Sequence, residues 1–440
     1  MRNISHIFII LCVALLSAIT SNAASTDTRV FSPTFRTLKV SNPDNFMSPP
    51  VIRLNSDDRL VISFDEIAED NRWLQYRLVH CNADWQPSRF VESEYLDGFN
   101  IADIEDFAFS ENTFVHFVNY RIEFPNQSMR PLVSGNYLLQ VFHRDAPDEV
   151  ILQARFMVSE EAAAISGIAS GRTDRGHNTE WQQLDMSVTL RGIEKANPYQ
   201  DVEVTLLQNG SEPTLRTLRR PQRVEGNTLV YQHLPELIFP AGNEYRRFES
   251  VSNGFPGMGV DSLKFGGSNY HVWLRKDSGR ALRNYEFDRT QHGRFLVREY
   301  NATDSDLGAD YITVHFSLDM PLLRDADIYV DGEMTHNRFD SSNRMVYDSA
   351  ARLYRLEMPL KQGAYNYRYL TLPTQPHSSP SSPSHTHSAP SRPISPHLAP
   401  SGALTEGNKF ETQNEYWVAV YYHPPGSRAD RLIGFALLQP

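Results

Sequence analysis

The stretch VHCNADWQPS, residues 79–88, gathers an imidazole, a thiol, a carboxylate and an indole within six positions: His80, Cys81, Asp84 and Trp85. Residues of these types can build a Cys-His nucleophile pair or part of a transition-metal site. Local geometry argues against either being assembled from this stretch alone. WLQYRLVHC (73–81) alternates as a strand does, so Leu74, Tyr76, Leu78 and His80 share one face. Trp73, Gln75, Arg77, Val79 and Cys81 share the other. His80 and Cys81 then point apart and cannot ligate one metal or form a dyad with each other. A lone Cys81 reads as a small buried hydrophobe. Asp84, Pro87 and Ser88 read as a turn, with Trp85 covering the end of a sheet.

Other stretches suggest further chemistry. DSDLGAD (304–310) sets Asp304, Asp306 and Asp310 around Gly308 as a calcium loop might, without the downstream Glu of an EF-hand, and reads better as an acidic turn between domains. Glu92, Glu94, Asp103, Glu105 and Asp106 could supply a glycosidase pair, although carboxylate separation is invisible in sequence. Tyr365, Tyr367 and Tyr369 could stack on sugar or fill the buried face of one strand. GxSxG, HExxH, Walker and post-strand GxGxxG patterns are all missing from the sequence. No catalytic, cofactor-binding or metal-ligating residue is therefore assigned, and no cofactor is expected.

The elements that must carry these residues are strands. Alternation dominates RLVISFD, NTFVHFVNYRIEF, SGNYLLQVF and VILQARFMVS, and it restarts in WQQLDMSVTL and DVEVTLLQN and again in DYITVHFSL. This predicts an all-β chain of three consecutive immunoglobulin-like β-sandwich domains, over 30–160, 165–303 and 308–440. A Ser/Pro/His-rich insertion at 373–402, containing His377, His385, His387 and His397, is expected as a disordered loop between the strands YNYRYL and EYWVAVYYH, which would pair across it.

The first 23 residues read as a signal peptide, with Arg2 before a short apolar run and Ser21 and Ala23 at the cleavage position. The mature chain then has Cys81 as its one cysteine, no disulfide and no transmembrane segment. A net charge of −11 argues against nucleic acid as a partner.

Taken together, HCNADWQPS, EYLDGFN, LLQNG, FPAGNEYRRFE, YVDGE, LKQGAYNYRY, EGNKFETQNEYWVAVYYH and DRLIGF follow one another as in the type IX secretion system plug proteins of Bacteroidota. The chain resembles that family over about residues 30–438, apart from the insertion. The resemblance implies a non-enzymatic periplasmic subunit that binds the periplasmic end of the outer-membrane translocon barrel and seals its pore. Within the matching motifs, Trp85, Tyr95, Phe99, Asn126, Asn243, Arg246 and Asn414 are the partner-binding candidates. The alternative is an exported carbohydrate-binding immunoglobulin-like protein, and a hydrolase using the acidic loop is a third reading.

Overall fold

Alternating apolar residues bury themselves by pairing strands into sheets and closing one sheet on another. The computed structural model, which describes residues 25–193, 197–374 and 399–440, does this around three cores. The signal-peptide expectation and most of the Ser/Pro/His-rich insertion lie outside the described residues. The fold is all-β, as the alternation predicts, and among the described residues the helices between strands are single turns.

In the first core, a sheet centred on Gly135–His143, flanked by Leu74–Cys81 and Ala146–Ser159, faces a second sheet of Phe35–Ser41, Leu60–Glu66, Val118–Phe124 and Asp106–Phe109. Phe64, Tyr120, Phe124, Tyr137 and Phe156 fill the space between them. His80 lies among these rings, 5.1 Å from Tyr137 centroid to centroid. Its Nε2–H donates to the Ser134 carbonyl at 3.1 Å, and Nδ1 has no partner among the described residues. Cys81 is fully buried, and burial pushes its thiol up to about 12. The core reading of Cys81 thus holds, and His80 is buried as well.

The other two cores depart from the consecutive division expected from sequence. Strand Tyr416–Tyr422 pairs along its length with Val202–Gln208, and Arg431–Leu438 pairs with Tyr416–Tyr422. The C-terminal strands therefore complete the middle core with Leu184, Val204, Tyr231 and Phe239. The third core begins earlier than expected, because Arg246–Ser250 pairs with Gly363–Pro373 and Val260–Phe265 pairs with Tyr270–Leu274. The third unit is thus inserted between strands of the second. YNYRYL and EYWVAVYYH do not pair with each other. Instead the chain is pinned by paired main-chain bonds between Thr371 and Ser401 before it crosses to the middle sheet. Tyr365, Tyr367 and Tyr369 are buried, as one inward face requires.

Candidate functional site

The three cores meet one another through buried charges and apolar side chains. Between the first and third cores, Asp65 on strand Leu60–Glu66 accepts from Lys361 Nζ at 2.7 Å and from the Tyr311 hydroxyl at 2.7 Å. Lys361 Nζ also lies 3.9 Å from the centre of the Phe117 ring. Asp310 accepts the main-chain N–H groups of Phe114 and Val115 at 2.9 and 3.1 Å. The DSDLGAD turn is therefore an inter-domain clasp, with Asp304 capping its helical turn.

The first and middle cores meet through a small apolar cluster of Met157, Ala419, Tyr421 and Leu432. Tyr421 donates to Asn136 at 2.7 Å, and Asp430 accepts the Ala83 N–H at 2.9 Å. Between the middle and third units, the connecting segment brings in Glu406. It accepts from Arg246 Nε at 3.0 Å and Arg280 Nε at 2.7 Å. Burial pushes the Glu406 carboxyl up, yet Arg246 and Arg280 outweigh it and hold the group below the ordinary range.

This geometry sorts the seven candidates. Arg246 is part-buried and also pairs with Asp277 at 2.7 Å. Asn243 donates to the Glu406 carbonyl at 2.8 Å, next to the same lock. Asn414 is buried between Gln182 and the Ala241 carbonyl. Tyr95 is buried and donates to the Leu78 carbonyl at 3.0 Å. Asn126 holds a turn after Phe124-Pro125, accepting the N–H groups of Ser128 and Met129. Trp85, with φ 62°, packs its ring under the Arg155 guanidinium at 4.3 Å. Six of the seven thus have structural partners, and only Phe99, 85% exposed, stands free. Val91, Ile101 and Leu132 are also exposed in this part of the first unit. There the antiparallel pair of Leu96–Gly98 and Met129–Pro131, together with the Leu132 N–H bonded to the Tyr95 carbonyl, holds the loops.

Three of the five carboxylates of the acidic loop have separate structural partners. Glu92 accepts from Asn100, Glu94 caps its turn and pairs with Arg428, and Asp103 accepts from Gln75. Among the described residues, no group of three or more His, Cys, Asp or Glu could hold a metal ion. Where the three cores meet, they leave an open cleft of about 1540 Å³, lined by Arg29, Trp85, Arg155, Arg294, Arg338 and Trp417 among others.

Residues 35–160 match the Type 9 secretion system plug protein 1st domain. The chain belongs to the type IX secretion system plug protein family. Its matched domain is the complete first core, from the strand that opens at Phe35 to the Arg431-paired Glu160. A hypothetical protein from Parabacteroides merdae ATCC 43184, solved crystallographically, is 35% identical, with a TM-score of 0.87 over 94% of this chain and 99% of that one. An Escherichia coli alpha-2-macroglobulin aligns at 9% identity over 96% of this chain and 23% of its own, with a TM-score of 0.18 that bears on nothing here. No curated protein matches the sequence. Membership in the plug family gives the chain a role in type IX secretion. No helix among the described residues is long and apolar enough to cross a membrane.

The locks were missed by sequence reasoning. Asp65 and Lys361 stand 296 positions apart in ordinary strand patterns, and neither motif nor spacing connects them. Arg246 did carry a signal: it alternates with Phe248 and Ser250, which are both buried.

Proposed function

We propose that this plug-family chain is exported to the periplasm, binds the periplasmic end of the outer-membrane translocon barrel and seals its pore without catalysing a reaction. The family domain over residues 35–160 carries this reading. The physical demand on a plug is stiffness, since a flexible segment would leave gaps that small solutes cross. Buried ion pairs and apolar contacts between the cores support this reading. The cores suit β-sandwich units of the immunoglobulin kind, with the third inserted into the second. Loops carry recognition while strands hold them in place, so the exposed apolar side chains around Phe99 are the docking surface this reading favours.

A glycan-binding role has less support, because Tyr367 and Tyr369 are buried and both donate to Asp277 at 2.7 Å. The test is a deletion strain. Loss of the chain should admit large antibiotics that wild type excludes, and the tagged protein should co-purify with the barrel from native membranes. A deletion strain that stays impermeable while secretion proceeds, with no barrel recovered, overturns the proposal.

A further inference from the structure

The cleft between the three cores has an asymmetry of charge that the plug reading does not use. Every carboxylate on its wall is engaged. Asp27 and Glu212 both bind Arg155, at 3.0 and 2.8 Å. Asp340 pairs with Arg338, Asp327 lies 3.9 Å from Arg344, and Glu333 accepts the Phe295 N–H at 3.0 Å. Arg294, on the same wall, is taken by Glu415 at 2.5 Å.

Three cations of the wall have no such partner among the described residues. Lys39 donates only to the Phe295 carbonyl, at 2.7 Å. Arg216 donates only to the carbonyls of Thr214 and Leu215, at 3.3 and 3.0 Å. Arg29 has a buried Nε with no hydrogen-bond partner. Burial lowers the pKa of all three below its ordinary value, and Asp340 and Asp27 at Arg29, and Glu333 and Asp306 at Lys39, offset it only in part. Holding a cation partly out of water without a directly paired carboxylate is costly, and a chain of net charge −11 has carboxylates to spare elsewhere. The segment 375–398 leaves and rejoins the described chain beside Thr374 and Ala399 on the cleft wall, and it contains no Asp or Glu.

We infer that the cleft binds an acidic polypeptide segment whose carboxylates meet Arg29, Lys39 and Arg216. At about 1540 Å³ it exceeds the roughly 300–1,000 Å³ of pockets that enclose small molecules. Trp85, Trp417 and Tyr421 add the apolar wall that side chains between the acidic residues would cover. The charge asymmetry is independent of what the chain docks against through its other surfaces.

Calorimetry and intrinsic tryptophan fluorescence on the full mature chain test this, because Trp85 and Trp417 both line the cleft. The probes are a decapeptide rich in Glu and Asp, its Gln/Asn counterpart and inorganic phosphate. The acidic peptide should bind at least tenfold more tightly than the neutral one, weaken with salt and shift the tryptophan emission. Arg29→Gln, Lys39→Gln and Arg216→Gln combined should weaken it at least tenfold, while Arg59→Gln, an exposed residue paired with Glu123, should not. Equal binding of both peptides by the wild-type chain overturns the inference whether or not the triple variant folds. So does phosphate competing at concentrations similar to those of the peptide, which would mean a small-anion site. Failure here leaves the deletion phenotype untouched, so the two proposals fail separately.

Discussion

Lys361 Nζ lies 2.7 Å from Asp65 Oδ2, and both side chains are 1% exposed. This pair ties strand Leu60–Glu66 of the first core to the end of strand Leu353–Lys361 in the third. Removing one member strands the other charge in a dry site, which costs about 3–5 kcal/mol, whereas an apolar replacement of both can be neutral. Lys361→Met should therefore lower stability by that amount in chemical denaturation, and Asp65→Leu with Lys361→Met should recover most of it. A single variant within 1 kcal/mol of wild type would show that the two cores are not locked here.

As a surface partner-binding candidate, Arg246 would tolerate a charge reversal without harm to the fold. The structure argues otherwise. Arg246→Glu sets a new carboxylate against Glu406 and Asp277, both of which now share the guanidinium. We expect a loss of several kcal/mol, on the order of 3–5, read as a lowered melting temperature or recovery only from inclusion bodies. Phe99→Ser, at an exposed site, should leave melting unchanged and weaken only barrel recovery.

The Cys81 thiol should react slowly with a thiol reagent in the native chain and at the ordinary rate after denaturation, since burial pushes it up to about 12. Cys81→Ser would leave a hydroxyl where the thiol is buried, so Cys81→Ala is the cleaner variant. It should cost roughly 1 kcal/mol through a small cavity. Fast native labelling would contradict the core assignment.

His80 gives a pH dependence. Burial lowers its pKa below the ordinary 6.5, so above pH 6.5 it is neutral in both folded and unfolded chains and costs nothing. As pH falls below 6.5, the unfolded chain takes up a proton that the folded chain refuses, and stability is lost until pH reaches the folded pKa. His336, whose pKa burial brings down to about 4, acts in the same direction between pH 6.5 and 4. Melting temperatures of wild type and His80→Leu, compared from pH 8 to 5, should show the shallower decline in the variant. Parallel curves would mean that His80 titrates alike in both states.

Much of the fold was legible in the sequence because strand alternation is local. Tyr365, Tyr367 and Tyr369 fill one buried face, and His80 and Cys81 point to opposite faces, as period two requires. What alternation cannot encode is which strands meet. Tyr416–Tyr422 reads equally well as a partner of Gly363–Pro373 or of Val202–Gln208, and only the connection through Thr405, Glu406 and Asn414 decides for the latter. Asn414 and Arg246 show the same limit. Polar residues beside turn motifs look like recognition residues until their buried partners, remote in sequence, are known.

The return of the last two strands to the middle core sets an order on biosynthesis. The first core, complete by Ser159, can fold as soon as its own residues emerge, as N-terminal domains generally do. The middle core cannot. Val202–Gln208 waits for Tyr416–Tyr422, more than two hundred residues later, and until then its sheet edge and the apolar face of Leu184, Val204 and Tyr231 stand open. The nascent chain must therefore be kept from sticking to itself or its neighbours until its final residues are made. A nonsense mutation near residue 410 would leave the first and third cores intact on paper while releasing a protein that cannot close its centre.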